Sequence, residues 1–399
     1  MKVLINKIKY NPHYERLNRG ITTFICFSSL FLAQLLKGAI VAEFDYFLYA
    51  FFSFQAFGSI FQGSVSDVYR RSTVLNFSLL LIIVLVFSLL FLHGNVGSPF
   101  QFLRGICLAC IGLGGNVDVV GRAGAIDIHP DSDRRQLMSW TVFFEGFAWV
   151  VIGIFMRFLN LEFLDVLLFC LFSAVLLLLL SWIFNIDKTE DKKELHNPLY
   201  EIKIILKKNF RILVCLAYVM IPAQLGYFFF FYSQENPIPK TRHALLADSY
   251  LAWFVGLCLG CLILNKLKKL RDFSLILFGV LVSLISVMFY WFNGLKTILD
   301  SSALAFDLLT YGFAGFGSGI FLPCFYSVIS KGHSRHVQGV LTGYVDSLRV
   351  IGDMITNLSL IGMLLFPKYI PILTSTLSFG LAVILTISFR KNLFRRAKV

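Results

Sequence analysis

The chain has 399 residues, 57% of them hydrophobic and only 15% charged, with a formal net charge of +13 and a mean hydropathy of +0.75. No water-soluble globule of this length has an interior that hides so much apolar surface, so the solvent of this chain is a bilayer. The basic residues are spread over many short segments and form no single patch, which argues against a nucleic-acid partner.

A helix needs about 20 apolar residues to cross the hydrocarbon, and such runs recur from residue 21 almost to the end. Twelve spans are predicted: 20–42, 46–66, 73–94, 99–125, 137–158, 163–185, 210–233, 246–265, 273–293, 303–330, 339–366 and 369–389. Runs such as "LLLIIVLVFSLLFL" (79–92) lack the two-residue alternation of a barrel strand, which leaves an all-α integral membrane fold. The first run is long enough to span and has no convincing small-residue cleavage site, so it is expected to stay attached. Of the 36 Lys and Arg, 27 fall in the segments on one side of the predicted spans. That bias predicts both termini in the cytoplasm of a bacterial inner membrane.

Residues 186–209, "IDKTEDKKELHNPLYEIKIILKKN", are the only long polar interruption, with six spans on each side. The expected organisation is a bundle over 1–185, a cytoplasmic linker over 186–209 and a second bundle over 210–399. The halves echo each other: "DSDRRQLMSWTVFFEG" (131–146) enters span five and "GHSRHVQGVLTGYVDS" (332–347) enters span eleven. Aligning Gln136 with Gln338 brings Glu145 within one position of the counterpart of Asp346. Glycine clusters precede both, at Gly112, Gly114 and Gly115 and at Gly315, Gly317 and Gly319. Such duplication is typical of a transporter with its site between two related bundles.

Between spans two and three, "GSVSDVYRRSTVL" (63–75) places Gly63, Asp67 and Arg71 in a pattern that resembles the loop motif of the major facilitator superfamily. The resemblance extends over essentially the whole chain. Arg70 stands where that family usually has a second Gly, and Ser72 where it usually has a basic residue. The matching connection in the second half, "NKLKKLRDF" (265–273), has basic residues but no Asp in the corresponding place. The resemblance implies twelve helices in two pseudo-symmetric six-helix bundles, with spans one, four, seven and ten lining a central cavity. It also implies that Arg71 pairs with an acid at the inner end of span four, where Asp127 lies. Gly63, Asp67, Arg71 and Asp127 are therefore the expected gate.

Charges at the centre of a span are costly and should face water or a partner. In "GGNVDVVGRAGAID" (114–127), Asp118 and Arg122 lie four residues apart, on one helical face and within reach of each other. In "DSLRVIGD" (346–353), Asp346, Arg349 and Asp353 share a face as well. A fixed Arg suits a solute carboxylate or phosphate, so Arg122 and Arg349, with Asn116, Asp118, Gln224 and Tyr311, are the expected solute-binding groups. Glu145, Asp346 and Asp353 are the expected proton carriers, because all seven His fall in loops or at helix ends. Arg104, Asp307, Gln34, Lys37 and Tyr227 are further polar groups within reach of the cavity, with snorkelling to the outer interface the alternative for Lys37, and Pro222 is expected to interrupt span seven by kinking it. The CxxC spacings "CLAC" (107–110) and "CLGC" (258–261) lie in apolar runs without additional ligands, so no metal or redox chemistry is expected. "GLGG" (112–115) follows no strand, and no ATP-binding motif is present.

The resulting expectation is a secondary transporter: not an enzyme, without cofactor, monomeric, embedded in lipid and coupled to protons. Its solute is expected to be small and anionic or zwitterionic, of the amino-acid or organic-acid class. The alternative is efflux of a drug-like compound or siderophore, which the aromatic content favours and the dense buried charge opposes.

Overall fold

The computed structural model describes residues 12–43, 48–93, 97–129, 134–158, 163–184, 198–232, 242–267, 270–294, 303–331, 337–363 and 369–390. Among them the chain is helical: α1 (Pro12–Glu43), α2 (Leu48–Val68), α3 (Arg71–His93), α4 (Ser98–Gly114), α5 (Val117–Ile128), α6 (Arg134–Phe158), α7 (Phe163–Ile183), α8 (Pro198–Tyr232), α9 (Arg242–Lys266), α10 (Asp272–Gly294), α11 (Ala303–Ser330), α12 (Gln338–Met363) and α13 (Tyr369–Ser388). These make twelve crossings in two six-helix bundles, with α4 and α5 sharing the fourth. The membrane face where α1 begins and α13 ends is the terminal face, and the opposite one the distal face.

Twelve crossings take thirteen helices because the chain unwinds at Gly115 and Asn116. Side chains repair the break. The Asn116 amide donates to the Gly112 carbonyl at 2.8 Å and Gln62 of α2 donates to the Gly114 carbonyl. Backbone carbonyls at membrane depth require such partners because the bilayer has no water to supply them. By contrast, α8 runs unbroken through Pro222. Pro222 thus lies inside a continuous helix, where packed neighbours can satisfy the backbone group that proline frees. Helix α8 also begins at Pro198, so the last part of the segment read as a linker is helical.

Among the described residues nine helical segments are long and apolar enough to cross a membrane on composition alone. One bundle-to-bundle contact is made by α6 against α9 and the other by α2 against α12, two helices that are not among the nine. Facing protein instead of lipid, they have room for polar residues. The lipid-facing helices show the reverse: Phe77, Phe87 and Phe91 of α3, Phe172 and Trp182 of α7 and Leu377 and Ile384 of α13 are exposed on the outer surface.

The α2–α12 contact is close enough to need glycine. A Cβ on Gly63 would collide with the Gly339 carbonyl, and one on Gly343 with the Ser59 carbonyl. In α6 against α9, the Ser139 hydroxyl donates to the Cys261 carbonyl at 2.7 Å and Trp149 stacks on Phe254 at 5.1 Å. The pseudo-symmetry is visible in local bonds. Arg134, first in α6, donates to the Ile126 carbonyl, and Gln338, first in α12, donates to the Ser330 carbonyl, each eight residues back. Arg134 therefore corresponds to Gln338, and with the same offset Glu145 corresponds to Arg349. The register lies two residues from the one read by aligning Gln136 with Gln338.

Truncating Asn116 to alanine leaves carbonyls at the helix break unpaired, which costs about 1–3 kcal/mol per group. Thermal unfolding of Asn116→Ala in lipid nanodiscs should show a lowered midpoint, and an unchanged midpoint would contradict the repair role.

Candidate functional site

At the terminal face, Asp67, Arg71 and Asp127 meet as expected. The Arg71 guanidinium donates from Nη2 to Asp67 at 2.7 Å, from Nε to Asp127 at 2.6 Å and from Nη1 to the Ser66 hydroxyl at 2.6 Å. Asp67 then reaches the other bundle, where its two oxygens accept the backbone N–H groups of Gly339 at 2.9 Å and Val340 at 2.8 Å. These belong to the first turn of α12, whose N–H groups have no partner within the helix and carry the positive end of its dipole. Asp67 thus caps, from the first bundle, a helix of the second.

A second cross-bundle contact lies at the same face, and nothing local in the sequence marks it. Arg135 of α6 donates to the Leu270 carbonyl at 2.6 Å, the Leu267 carbonyl at 3.1 Å and Asp272 at 3.2 Å. Lys331 adds an ion pair to Asp272 at 2.5 Å. The second-half connection does lack an Asp in the place of Asp67. It supplies carbonyls and the first residue of α10 to a cation from the other bundle, with the polarity reversed.

Deeper in the membrane the expected charges converge. Arg122 of α5 forms ion pairs with Glu145 of α6 and Asp346 of α12. Arg349 of α12 donates to the other Glu145 oxygen at 2.8 Å and lies 3.6 Å from Asp346. Tyr326 of α11 ties the group together: its hydroxyl donates to Asp346 and accepts from Arg349 at 3.1 Å. The Arg122 guanidinium lies 4.2 Å from the centre of its ring, a cation–π contact that strengthens out of water. Tyr326 was not a sequence candidate; "FLPCFYSV" reads as one more apolar stretch. The network joins four helices from both bundles and opens at one place, since the Arg349 side chain is 21% exposed whereas Arg122 is fully buried.

Asp118 does not pair with Arg122, although the four-residue spacing allows it. Both terminal nitrogens of Arg122 serve Glu145 and Asp346, and Asp118 accepts only the N–H of Val119, at 3.0 Å. Asp353 is bound by Lys37 of α1 at 2.8 Å. Lys37, one of the polar groups expected within reach of the cavity, thus makes a part-buried cross-bundle ion pair.

Other sequence candidates lie elsewhere. Asn116 is committed to the helix break. Tyr311 and Tyr227 sit inside the second bundle, Tyr311 donating to the Phe230 carbonyl at 3.0 Å and Tyr227 sharing a hydrogen bond with Ser283 at 2.9 Å. Both are buried and neither joins the network. Arg104 donates to the Leu92 and His93 carbonyls at the end of α3, and Gln34 accepts from Trp149. Gln224 of α8 is 5% exposed, its amide nitrogen has no hydrogen-bond partner, and its stem packs on Gly352. The side chain of Asp307 lies outside the described residues, as do His333 and His336. All eight cysteines are free, and among the described residues no three His, Cys, Asp or Glu side chains are grouped to hold a metal.

Removing one partner of a buried ion pair costs about 3–5 kcal/mol because the other charge stays buried and unpaired. Arg122→Ala strands Glu145 and Asp346 together and should lower the unfolding midpoint well below that of Arg349→Ala, whose site admits solvent. Equal losses would contradict the central position of Arg122.

The sequence profile of the Major Facilitator Superfamily matches residues 20–357. Two solved structures share the fold. The human organic anion transporter MFSD10 (TETRAN) superposes with a TM-score of 0.68 at 14% identity, covering 92% of this chain and 99% of its own. A bacterial homologue of the iron transporter ferroportin, in an outward-facing state, superposes with a TM-score of 0.70 at 12% identity, covering 94% and 99%. No curated protein matches the sequence. The profile match spans most of the chain, which belongs to the Major Facilitator Superfamily.

Proposed function

We propose that the protein is a proton-coupled secondary transporter, with both termini in the cytoplasm of a bacterial inner membrane, for a small anionic or zwitterionic solute of the amino-acid or organic-acid class. The observation that carries this reading is the Arg122–Glu145–Arg349–Asp346 network. It spans both bundles near mid-membrane and presents one partly exposed guanidinium. A solute carboxylate can take the place of Glu145 on Arg349, whose planar guanidinium suits a carboxylate. That exchange adds a negative charge to a low-dielectric site, where uptake of a proton by a buried acid removes the cost of the excess charge. Because the same bonds tie the bundles, replacing them by bonds to solute and proton shifts the balance between bundle arrangements.

The binding set narrows to Arg349, Arg122 and the unpaired Gln224 amide, since Asn116 and Tyr311 spend their polar groups on structure. Gly63, Asp67, Arg71 and Asp127 act as the gate, holding the terminal face shut through the N-terminus of α12. Among the proteins of like fold, one is an organic anion transporter, in keeping with an anionic solute here.

Purified protein in proteoliposomes, screened with labelled amino acids and carboxylates under an imposed pH gradient, tests this function. Accumulation should follow the gradient and fall roughly tenfold or more, at least 1.4 kcal/mol of lost binding, in Arg349→Ala. Arg349→Lys should recover part of it, because a lysine keeps the charge without the planar fork. Gradient-driven extrusion of cationic drugs that is equal in wild type and Arg349→Ala would replace this reading with efflux.

A further inference from the structure

Resting on the proton-coupled reading, we infer that Asp118 carries the coupling proton, in place of the acids whose position in the sequence marks them for it. Glu145, Asp346 and Asp353 are each held by a cation: Glu145 by Arg122 and Arg349, Asp346 by Arg122, and Asp353 by Lys37. Asp118 is 5% exposed and makes no ion pair. Among the described residues of this interface, three cations face four acids, leaving one negative charge in excess, and Asp118 is the acid without an ion pair.

Every charged group near Asp118 is already engaged. On its own helix Arg122 follows one turn later, bound to Glu145 of α6 and Asp346 of α12. From α12, Asp346 and Arg349 act on it, the first by repulsion and the second by attraction. Tyr326 of α11 is hydrogen-bonded to both, and Lys37 of α1 is bound to Asp353. Helix α1 otherwise contributes uncharged neighbours to α5, with Cys26 and Ser29 packed on Gly121. Helix α2 contributes Ser59 and Gln62, which serve the helix break.

An unpaired charge in such surroundings is expensive, and one positive charge removes the cost. A metal cation would need several oxygen ligands around it, and among the described residues no three His, Cys, Asp or Glu side chains are grouped to hold one. A proton needs one oxygen: the carboxylate takes it up to become a neutral carboxylic acid and releases it as the same proton. The coupling follows from the charge count. An anion settling on Arg349 adds a further negative charge, so it meets least repulsion when Asp118 is loaded. By reciprocity the anion then strengthens proton binding. Proton and anion travel together, in the same direction.

Infrared spectroscopy of the reconstituted protein reads this without knowing the solute. Near neutral pH, wild type should show the carbonyl stretch of one protonated carboxyl group. The band should shift when the protein is labelled with ¹³C-carboxyl aspartate, and it should be missing in Asp118→Asn but present in Asp353→Asn. If Asp118→Asn does not fold, Asp118→Glu should move the band out of reach of the aspartate label. A band that survives Asp118→Asn, ignores the aspartate label or is absent from wild type overturns the assignment, whatever the uptake screen finds. Once a solute is in hand, Asp118→Asn should keep solute exchange across the membrane and lose accumulation driven by the pH gradient. Loss of exchange and accumulation together, in protein that folds, would make Asp118 a solute-binding or structural group and overturn the assignment as well.

Discussion

A charge buried where water cannot reach must find an opposite charge, and in this protein it finds one on the other half of the molecule. Arg122 of the first bundle is held by Asp346 of the second, Arg349 of the second by Glu145 of the first, and Lys37 of the first by Asp353 of the second. Each half keeps pairs of its own, Arg122 with Glu145 in the first and Arg349 beside Asp346 in the second, but Lys37 and Asp353 would each stand in hydrocarbon without the other, at a cost of about 2.5–3.5 kcal/mol apiece on insertion scales. Pairing across the interface removes that cost only while the bundles are together in this arrangement. The electrostatics therefore belong to the conformation, and any ligand that supplies the same charges can release it.

The terminal face follows the same logic with backbone groups. Asp67 caps α12 from the opposite bundle and Arg135 holds carbonyls of the connection between α9 and α10. Neither contact needs a matching side chain at the receiving end. Helix ends carry unpaired N–H or C=O groups wherever they occur, which makes them ready partners for a charge that arrives and departs. Between the two layers, glycines at 63, 339 and 343 let α2 and α12 touch backbone to backbone. A surface without protruding side chains is also one that can slide or part without repacking.

What was legible in the sequence was what depends on neighbours along the chain. Apolar runs marked twelve crossings, because each must satisfy its own backbone in lipid. Gly63, Asp67 and Arg71 stood out because one connection holds all three. Contacts made between distant helices were harder to read. The spacing of Asp118 and Arg122 pointed to a pair, but the stronger bonds of Arg122 come from Glu145 and Asp346, whose distance along the chain conceals them. Tyr326 was hidden among apolar residues, the partner of Lys37 lay on a distant helix, and nothing local marked Arg135 or Asp272. The break at Gly115 and Asn116 was read as a polar lining because its repair depends on Gln62, from another helix.

The central claim is that the mid-membrane ion pairs hold the bundles in the arrangement that closes the terminal face. Spin labels at Tyr69 and Leu270, exposed residues at the terminal ends of the two bundles, report the separation directly by pulsed dipolar spectroscopy. Glu145→Gln removes one charge without changing shape and loosens both arginines. The account predicts that this single substitution moves the distance distribution toward longer values with the terminal-face contacts left intact in sequence. An unchanged distribution would show that those contacts and the helix packing suffice by themselves, and that the buried charges do not govern the conformation.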